Sequence, residues 1–156
     1  MNSGPEPDAT RPVVRVTHRF AAPPERIFDA WLDPKWIGRW MFGPILREET
    51  VLHIQTDPRV GGSFSFKVRR QGQEIDHVGT YRKIERPRRL SFTWGVVGES
   101  EDEGLVTVGI VPKENGSELT LTHEMDPKWG EFAKRTEESW AKMLGVLDRA
   151  LSKETG

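Results

Sequence analysis

The order of the hydrophobic periodicities is the feature that most constrains the fold of this chain. Strand-type alternation occupies most of the sequence, and a single long helical stripe follows it. That stripe consists of residues at three- and four-residue steps: Phe132, Thr136, Trp140, Met143, Leu144, Leu147 and Leu151. The spacing predicts one amphipathic helix from about Gly130 to Leu151, roughly 33 Å long at 1.5 Å per residue.

Alternation at period two predicts a first strand over Val13 to Phe20 and six more strands between Thr50 and Met125. Tight-turn signals separate these strands, and Asn115-Gly116 is the strongest of them. Most strands have one apolar and one polar face. The strand from Thr50 to Thr56 is the exception, because Leu52 and Ile54 compete with Val51 and His53 for its inward face.

Two short helices are predicted between the first and second strands. Pro23-Pro24 suits a helix start, and Asp33-Pro34 is an N-cap followed by a proline in the first helical position. The first helix should run from Glu25 to Leu32 and the second to about Trp40. Three tryptophans on this elbow are placed to close one end of the domain: Trp31, Trp36 and Trp40.

A sheet with one apolar face must be covered on that face, and only the long helix is large enough to cover it. We therefore predict an α+β helix-grip fold, in which a curved antiparallel sheet wraps the C-terminal helix. A gap for a guest molecule is expected wherever the side chains of the two layers do not meet. We expect a single domain over residues 13–152 and a disordered leader over residues 1–12.

The composition excludes several classes of function. The chain has 156 residues, a net charge of −1 and no cysteine. We therefore expect no nucleic-acid partner, no disulfide and no thiolate metal site. The sequence contains neither a secretory signal nor an apolar run of membrane-spanning length, so we expect no membrane insertion and a cytoplasmic, bacterial-type protein.

Four motifs also resemble a known family. They are Ala22 to Trp31 followed by Asp33-Pro34, then Asp57 to Gly62, Gly79 to Tyr81, and Pro87 to Trp94. In order and spacing they are similar to the heat-shock ATPase activator homologues (Aha-type) of the START-like, SRPBCC superfamily, over about Val13 to Leu151. One departure is Ser139 before Trp140, where the family usually has glycine.

The resemblance implies the pollen-allergen-like helix-grip fold with an apolar pocket. It does not imply chaperone activation, because the eukaryotic activators carry an additional N-terminal domain for which we expect no room in this chain.

The candidate ligand-binding residues are those predicted to face the interior of the grip. They are Trp31, Trp40, Phe64, Phe66, His77, Tyr81, Trp94, Val108, Leu121, His123, Trp140 and Met143. Among them, His123 and Tyr81 are candidates to orient the polar end of a ligand. His18, which is not in this set, is a weaker candidate for the same role. The histidines lie on separate strands without metal-ligand spacing, so we expect no metal and no cofactor.

Three functions remain open. The first is the binding of a small hydrophobic molecule, lipid-like, polyketide-like or aromatic, in an internal cavity. The second is a stress-response or co-chaperone-like module that binds a chaperone or another protein. The third is a cyclase- or hydratase-type enzyme, for which His77, Tyr81 and His123 are the available titratable set; the sequence shows no catalytic signature.

Overall fold

The computed structural model describes residues 11–43, 45–99 and 104–155. Its elements, in chain order, are β1 (Val13–Phe20), α1 (Pro24–Ala30), α2 (Pro34–Trp40), β2 (Thr50–Thr56), β3 (Ser63–Arg70), β4 (Gln73–Glu85), β5 (Arg89–Val96), β6 (Gly104–Lys113), β7 (Gly116–Glu124), a 3₁₀ helix (Pro127–Phe132) and α3 (Ala133–Thr155). Residues 1–10 of the predicted leader and residues 100–103 lie outside the described residues.

The seven strands form one sheet in the order β1-β7-β6-β5-β4-β3-β2. Every neighbouring pair is antiparallel. The sheet curves around α3, so the predicted helix-grip fold is confirmed. Asn115 has a φ of 66° in the turn between β6 and β7, as the Asn-Gly signal predicts.

The inward face of the sheet and the apolar stripe of α3 share one core. Leu121 on β7 and Leu144 and Leu147 on α3 are fully buried there. At the sheet edge, His18 Nε2 on β1 lies 2.9 Å from Asp148 Oδ2 on α3. His18 therefore ties the helix to the sheet.

The long helix begins later than the sequence predicts. Residues Pro127–Phe132 form a 3₁₀ helix, and regular α-helix starts only at Ala133. Gly130 lies inside this segment, and glycine is a poor helix former. A 3₁₀ turn is a common way for an α-helix to begin.

The ambiguity of β2 has a structural cause. Its pairing with β3 shifts register between Val51 and His53, which leaves Leu52 as an extra residue. The bulge switches the parity of the strand, because an inserted residue moves the following side chains to the other face. Val51 and Ile54 therefore both pack against the core, although neither alternating pattern contains both.

The elbow of α1 and α2 is part of the core. Asp33 caps α2, since its Oδ1 accepts a hydrogen bond from the Lys35 backbone nitrogen at 3.0 Å. Trp40 is fully buried, and its Nε1 donates to the Ala30 carbonyl at 3.0 Å. Trp31 lies 4.7 Å from Trp40, between ring centroids. These two tryptophans fill the interior instead of closing one end of the grip.

Candidate functional site

A pocket of about 660 Å³ lies at one end of the grip, between the sheet and the N-terminal half of α3. Its size is within the usual range for small-molecule sites, roughly 300–1,000 Å³. The residues that line it are Met41, Phe42, Arg47, Arg70, His77, Trp94, Gly95, Val96, Glu99, Gly104, His123, Met125, Asp126, Phe132, Arg135, Thr136, Ser139, Trp140 and Met143. The pocket lies between the two layers, where a gap is expected.

One wall of the pocket is a continuous series of aromatic rings. Between ring centroids, Phe42 lies 4.9 Å from His77, and His77 lies 5.4 Å from Trp94. Trp94 lies 5.7 Å from Trp140, which in turn lies 6.1 Å from His123. These separations are typical of favourable ring contacts, which also hold each ring in place. Among these five rings only Trp94 is partly exposed, so its indole is the main apolar face that the wall offers.

The inward face of β5 shows where the packed core ends and the pocket begins. Leu90 is fully buried, and only 4% of Phe92 is exposed. Trp94, two residues farther along the same face, is only partly buried. Its indole lies on the pocket wall.

His77 stands on β4, directly opposite Phe66 of β3. Its Nδ1 lies 3.1 Å from the Phe66 carbonyl oxygen. A carbonyl only accepts hydrogen bonds, so Nδ1 carries the proton. Burial lowers the pKa of His77, and the charge of Arg70 acts in the same direction, while the Phe66 carbonyl and the charge of Glu49 partly oppose the shift. The ring is therefore neutral near pH 7, with Nε2 as a hydrogen-bond acceptor.

His123 stands at the end of β7 and has the opposite arrangement. Its Nδ1 accepts a hydrogen bond from Trp140 Nε1 at 3.1 Å. An indole nitrogen only donates, so Nδ1 is unprotonated and Nε2 carries the proton. Burial lowers the pKa of His123 to about 4. The ring fits because residue 104 is glycine, since a Cβ there would lie 2.9 Å from Nε2.

A buried carboxylate anchors two arginines at the pocket. The Glu49 side chain is 0% exposed. It accepts hydrogen bonds from the Gly43 backbone nitrogen at 2.8 Å, from Arg47 at 2.9 Å and from Arg70 at 2.7 Å. Burial alone would raise the pKa of Glu49, but these hydrogen bonds and the two guanidinium charges lower it overall. The cluster joins the segment after α2 to the end of β3.

The opposite side of the pocket is formed by the 3₁₀ helix and α3. Arg135 is exposed, and its guanidinium lies 5.6 Å from the centre of the Phe132 ring. Ser139, the residue that departs from the family pattern before Trp140, also lines the pocket. This side therefore combines charged and small polar groups at the mouth with Trp140 deeper inside.

The structure brings five of the twelve predicted ligand-binding residues together on the pocket wall: His77, Trp94, His123, Trp140 and Met143. The other seven are buried in the core and do not line the pocket: Trp31, Trp40, Phe64, Phe66, Tyr81, Val108 and Leu121. Periodicity identifies inward-facing residues along the whole interior, whereas the pocket occupies only one end of it.

Tyr81 does not join the two histidines at the pocket. Its hydroxyl is buried without a hydrogen-bond partner, and burial raises the pKa of this phenol. The three-residue set considered for catalysis therefore does not converge. Among the described residues, no group of three or more histidine, aspartate or glutamate side chains is placed to hold a metal ion.

Sequence patterns missed the polar rim of the pocket. Arg47 comes from an irregular segment, and Arg70 from the last position of β3. Asp126 directly follows the predicted strands and Thr136 belongs to the predicted stripe of the long helix, and neither position by itself indicates the rim of a pocket. The sequence carries no signal for the Glu49 cluster, because Arg70 lies 21 residues from Glu49 and nothing in the sequence shows that this carboxylate is buried.

Comparison with known proteins places this chain in a family. Residues 21–152 match the family model described as activator of Hsp90 ATPase homolog 1-like protein. The chain belongs to this family. No curated protein matches the chain.

Solved structures with the same fold include family members. An AHSA1-like protein from Aeromonas hydrophila is 21% identical with a TM-score of 0.76, and the match covers 92% of this chain and 94% of that one. A protein from Rhodobacter sphaeroides is 23% identical with a TM-score of 0.79, covering 91% and 93%. An HSP90 activator from Plasmodium falciparum is 25% identical with a TM-score of 0.69, covering 90% and 96%.

None of the described helices has the length and apolar character needed to span a membrane.

Proposed function

We propose that this AHSA1-family protein binds a small, largely apolar molecule in the pocket at the end of its grip. The observation that carries the proposal is the aromatic wall of a pocket of about 660 Å³. Trp94 remains partly exposed there, whereas Leu90 and Phe92, the preceding inward residues of β5, are buried by core packing. Burying the exposed faces of such rings against a ligand removes apolar surface from water, which favours binding.

Binding can be tested with 2-methylnaphthalene, an uncharged aromatic probe, by tryptophan fluorescence and by native mass spectrometry. Ser139→Phe places a large ring on the pocket wall. Ala141→Phe adds the same ring to the same helix at an exposed position outside the pocket. We expect the wild type and Ala141→Phe to bind the probe and Ser139→Phe to lose most of its affinity. Equal affinity in both variants, or no binding to the wild type, would contradict the proposal.

A second candidate function is binding to an Hsp90-type ATPase. The observation that favours it is the 25% identity to the Plasmodium falciparum HSP90 activator over nearly the whole of both chains. The test measures the ATPase rate of a purified Hsp90-type chaperone with and without this protein at two salt concentrations. A reproducible change in rate supports the interaction, and an unchanged rate with no co-purification removes it.

We further propose that the chain acts as one domain over residues 13–152 and that it is a cytoplasmic protein of bacterial origin.

A further inference from the structure

The two pocket histidines have opposite hydrogen-bonding roles, and the structure fixes both of them. The ring of His77 is held by a carbonyl that can only accept, and the ring of His123 by an indole that can only donate. Each partner determines which nitrogen of its neutral imidazole carries the proton. The remaining nitrogens are therefore an acceptor on His77 and a donor on His123.

Both remaining nitrogens belong to residues of the pocket wall. Among the described residues, the buried side-chain nitrogen and oxygen atoms without a partner belong to Arg26, Trp31 and Tyr81, so neither Nε2 is sealed inside the protein. A ligand in the pocket can therefore form hydrogen bonds with both.

The neighbouring arginines do not dominate this recognition. Arg47 and Arg70 lie close to His77, but both carboxylate oxygens of Glu49 already bind them. A charged ligand would have to compete with this buried carboxylate for the same guanidinium groups. On the aromatic wall itself the polar groups are thus the two neutral imidazoles, while the charged residues Arg135, Asp126 and Glu99 line the pocket outside this wall.

We infer that the pocket selects uncharged, planar aromatic molecules that carry a hydroxyl or N–H donor for His77 and a carbonyl acceptor for His123. This inference rests on the proposed binding function and adds the chemical class of the ligand. The aromatic wall of Phe42, Trp94 and Trp140 takes the planar body, and the two histidines read its polar substituents. The ring contacts keep both imidazoles in their orientations.

Matched pairs of naphthalene probes test the acceptor role of His77 and the donor role of His123 separately. The two members of each pair have nearly the same shape and differ only in one polar group. The donor pair is 2-naphthol against 2-methylnaphthalene. The acceptor pair is 2-acetylnaphthalene against 2-isopropenylnaphthalene. We expect the polar member of each pair to bind about fivefold more tightly, the gain given by one net hydrogen bond.

Substitutions then assign each gain to one histidine. His77→Phe should abolish the advantage of 2-naphthol and leave that of 2-acetylnaphthalene. His123→Phe should do the reverse. His123→Gln, whose amide can still donate, should recover part of the acetyl advantage. Isothermal titration calorimetry at pH 7 gives the dissociation constants, and circular dichroism checks that each variant is folded.

The outcomes distinguish this inference from the proposed function. Equal affinity of the wild type for both members of each pair overturns the donor–acceptor assignment while leaving apolar binding intact. Tighter binding of 2-naphthoate than of 2-acetylnaphthalene also overturns it, because the arginines would then set the polar preference. Absence of binding by all the naphthalenes contradicts both. The wild-type pairs decide the matter even if a phenylalanine variant does not fold.

Discussion

Replacing His123 by phenylalanine should remove much of the acid sensitivity of the fold. His123 is buried beneath α3 and is neutral in the folded protein, because burial lowers its pKa from 6.5 to about 4. The unfolded chain exposes this imidazole and binds a proton at a higher pH. Stability is therefore fully present above about pH 6.5, and it falls as the pH drops towards 4.

The magnitude follows from the size of the shift. A difference of one pKa unit corresponds to about 1.4 kcal/mol, so the shift from 6.5 to about 4 implies a loss of about 3 kcal/mol by pH 4. His77 contributes in the same direction, since its pKa is also lowered by burial. At pH 7 the variant loses the acceptor for Trp140 Nε1, which should cost about 1–2 kcal/mol.

Urea unfolding at pH 7, 6, 5 and 4, followed by tryptophan fluorescence, measures this effect. The free energy of unfolding should fall more steeply with acidification in the wild type than in His123→Phe. The two curves should cross between about pH 5 and 6, which leaves the variant the more stable of the two, by about 1–2 kcal/mol, at pH 4. Val108→Ala is the control, because it removes buried apolar atoms from the same sheet without changing a titratable group. Its curve should lie below that of the wild type with an unchanged slope. Parallel curves for the wild type and His123→Phe would refute the assignment.

Two further predictions concern stability. Gly79→Ala should destabilise the fold by about 3 kcal/mol, because its Cβ would lie 1.9 Å from the Thr93 backbone oxygen. Gly109→Ala is the control and should be close to neutral, because nothing lies within 4 Å of the added Cβ. Equal thermal unfolding temperatures of the two variants would contradict this packing. Glu49→Gln should cost about 2 kcal/mol, because it leaves two arginines without their buried carboxylate. The exposed Glu74→Gln should change urea unfolding very little, and an equal effect of both substitutions would argue against the buried cluster.

The architecture was predictable because it depends on periodicity. Alternation from Val13 to Phe20 and the stripe through Trp140 and Leu151 are properties of single elements, and they identify which face must be buried. The order of the elements then leaves few ways of covering the sheet. The exact turn at which α3 begins was not predictable, because 3₁₀ and α geometry share the same local pattern around Phe132.

The pocket was predictable only in part, since it depends on how the layers meet. Inward parity correctly places Trp94 and His123 on the interior, but it places Phe64 and Leu121 there equally well. The pocket lining includes Trp94 and His123 but neither Phe64 nor Leu121. Whether an inward side chain packs against a neighbour or borders the pocket depends on the curvature of the sheet. The pattern of residues along a single strand does not predict this curvature. The bulge at Leu52 was not predictable for a similar reason, because the register depends on how β2 pairs with β3 and not on the sequence of β2 alone.

We propose that an apolar guest lies against the aromatic wall at the end of the grip. The most direct test is a ¹H–¹⁵N correlation spectrum of the indole groups during titration with 2-methylnaphthalene. The indole signals of Trp94 and Trp140 should shift in a saturable manner, while that of Trp36, which lies outside the pocket lining beside Arg39, should not move. Unchanged Trp94 and Trp140 signals at saturating probe, or shifts confined to Trp36, would contradict the claim.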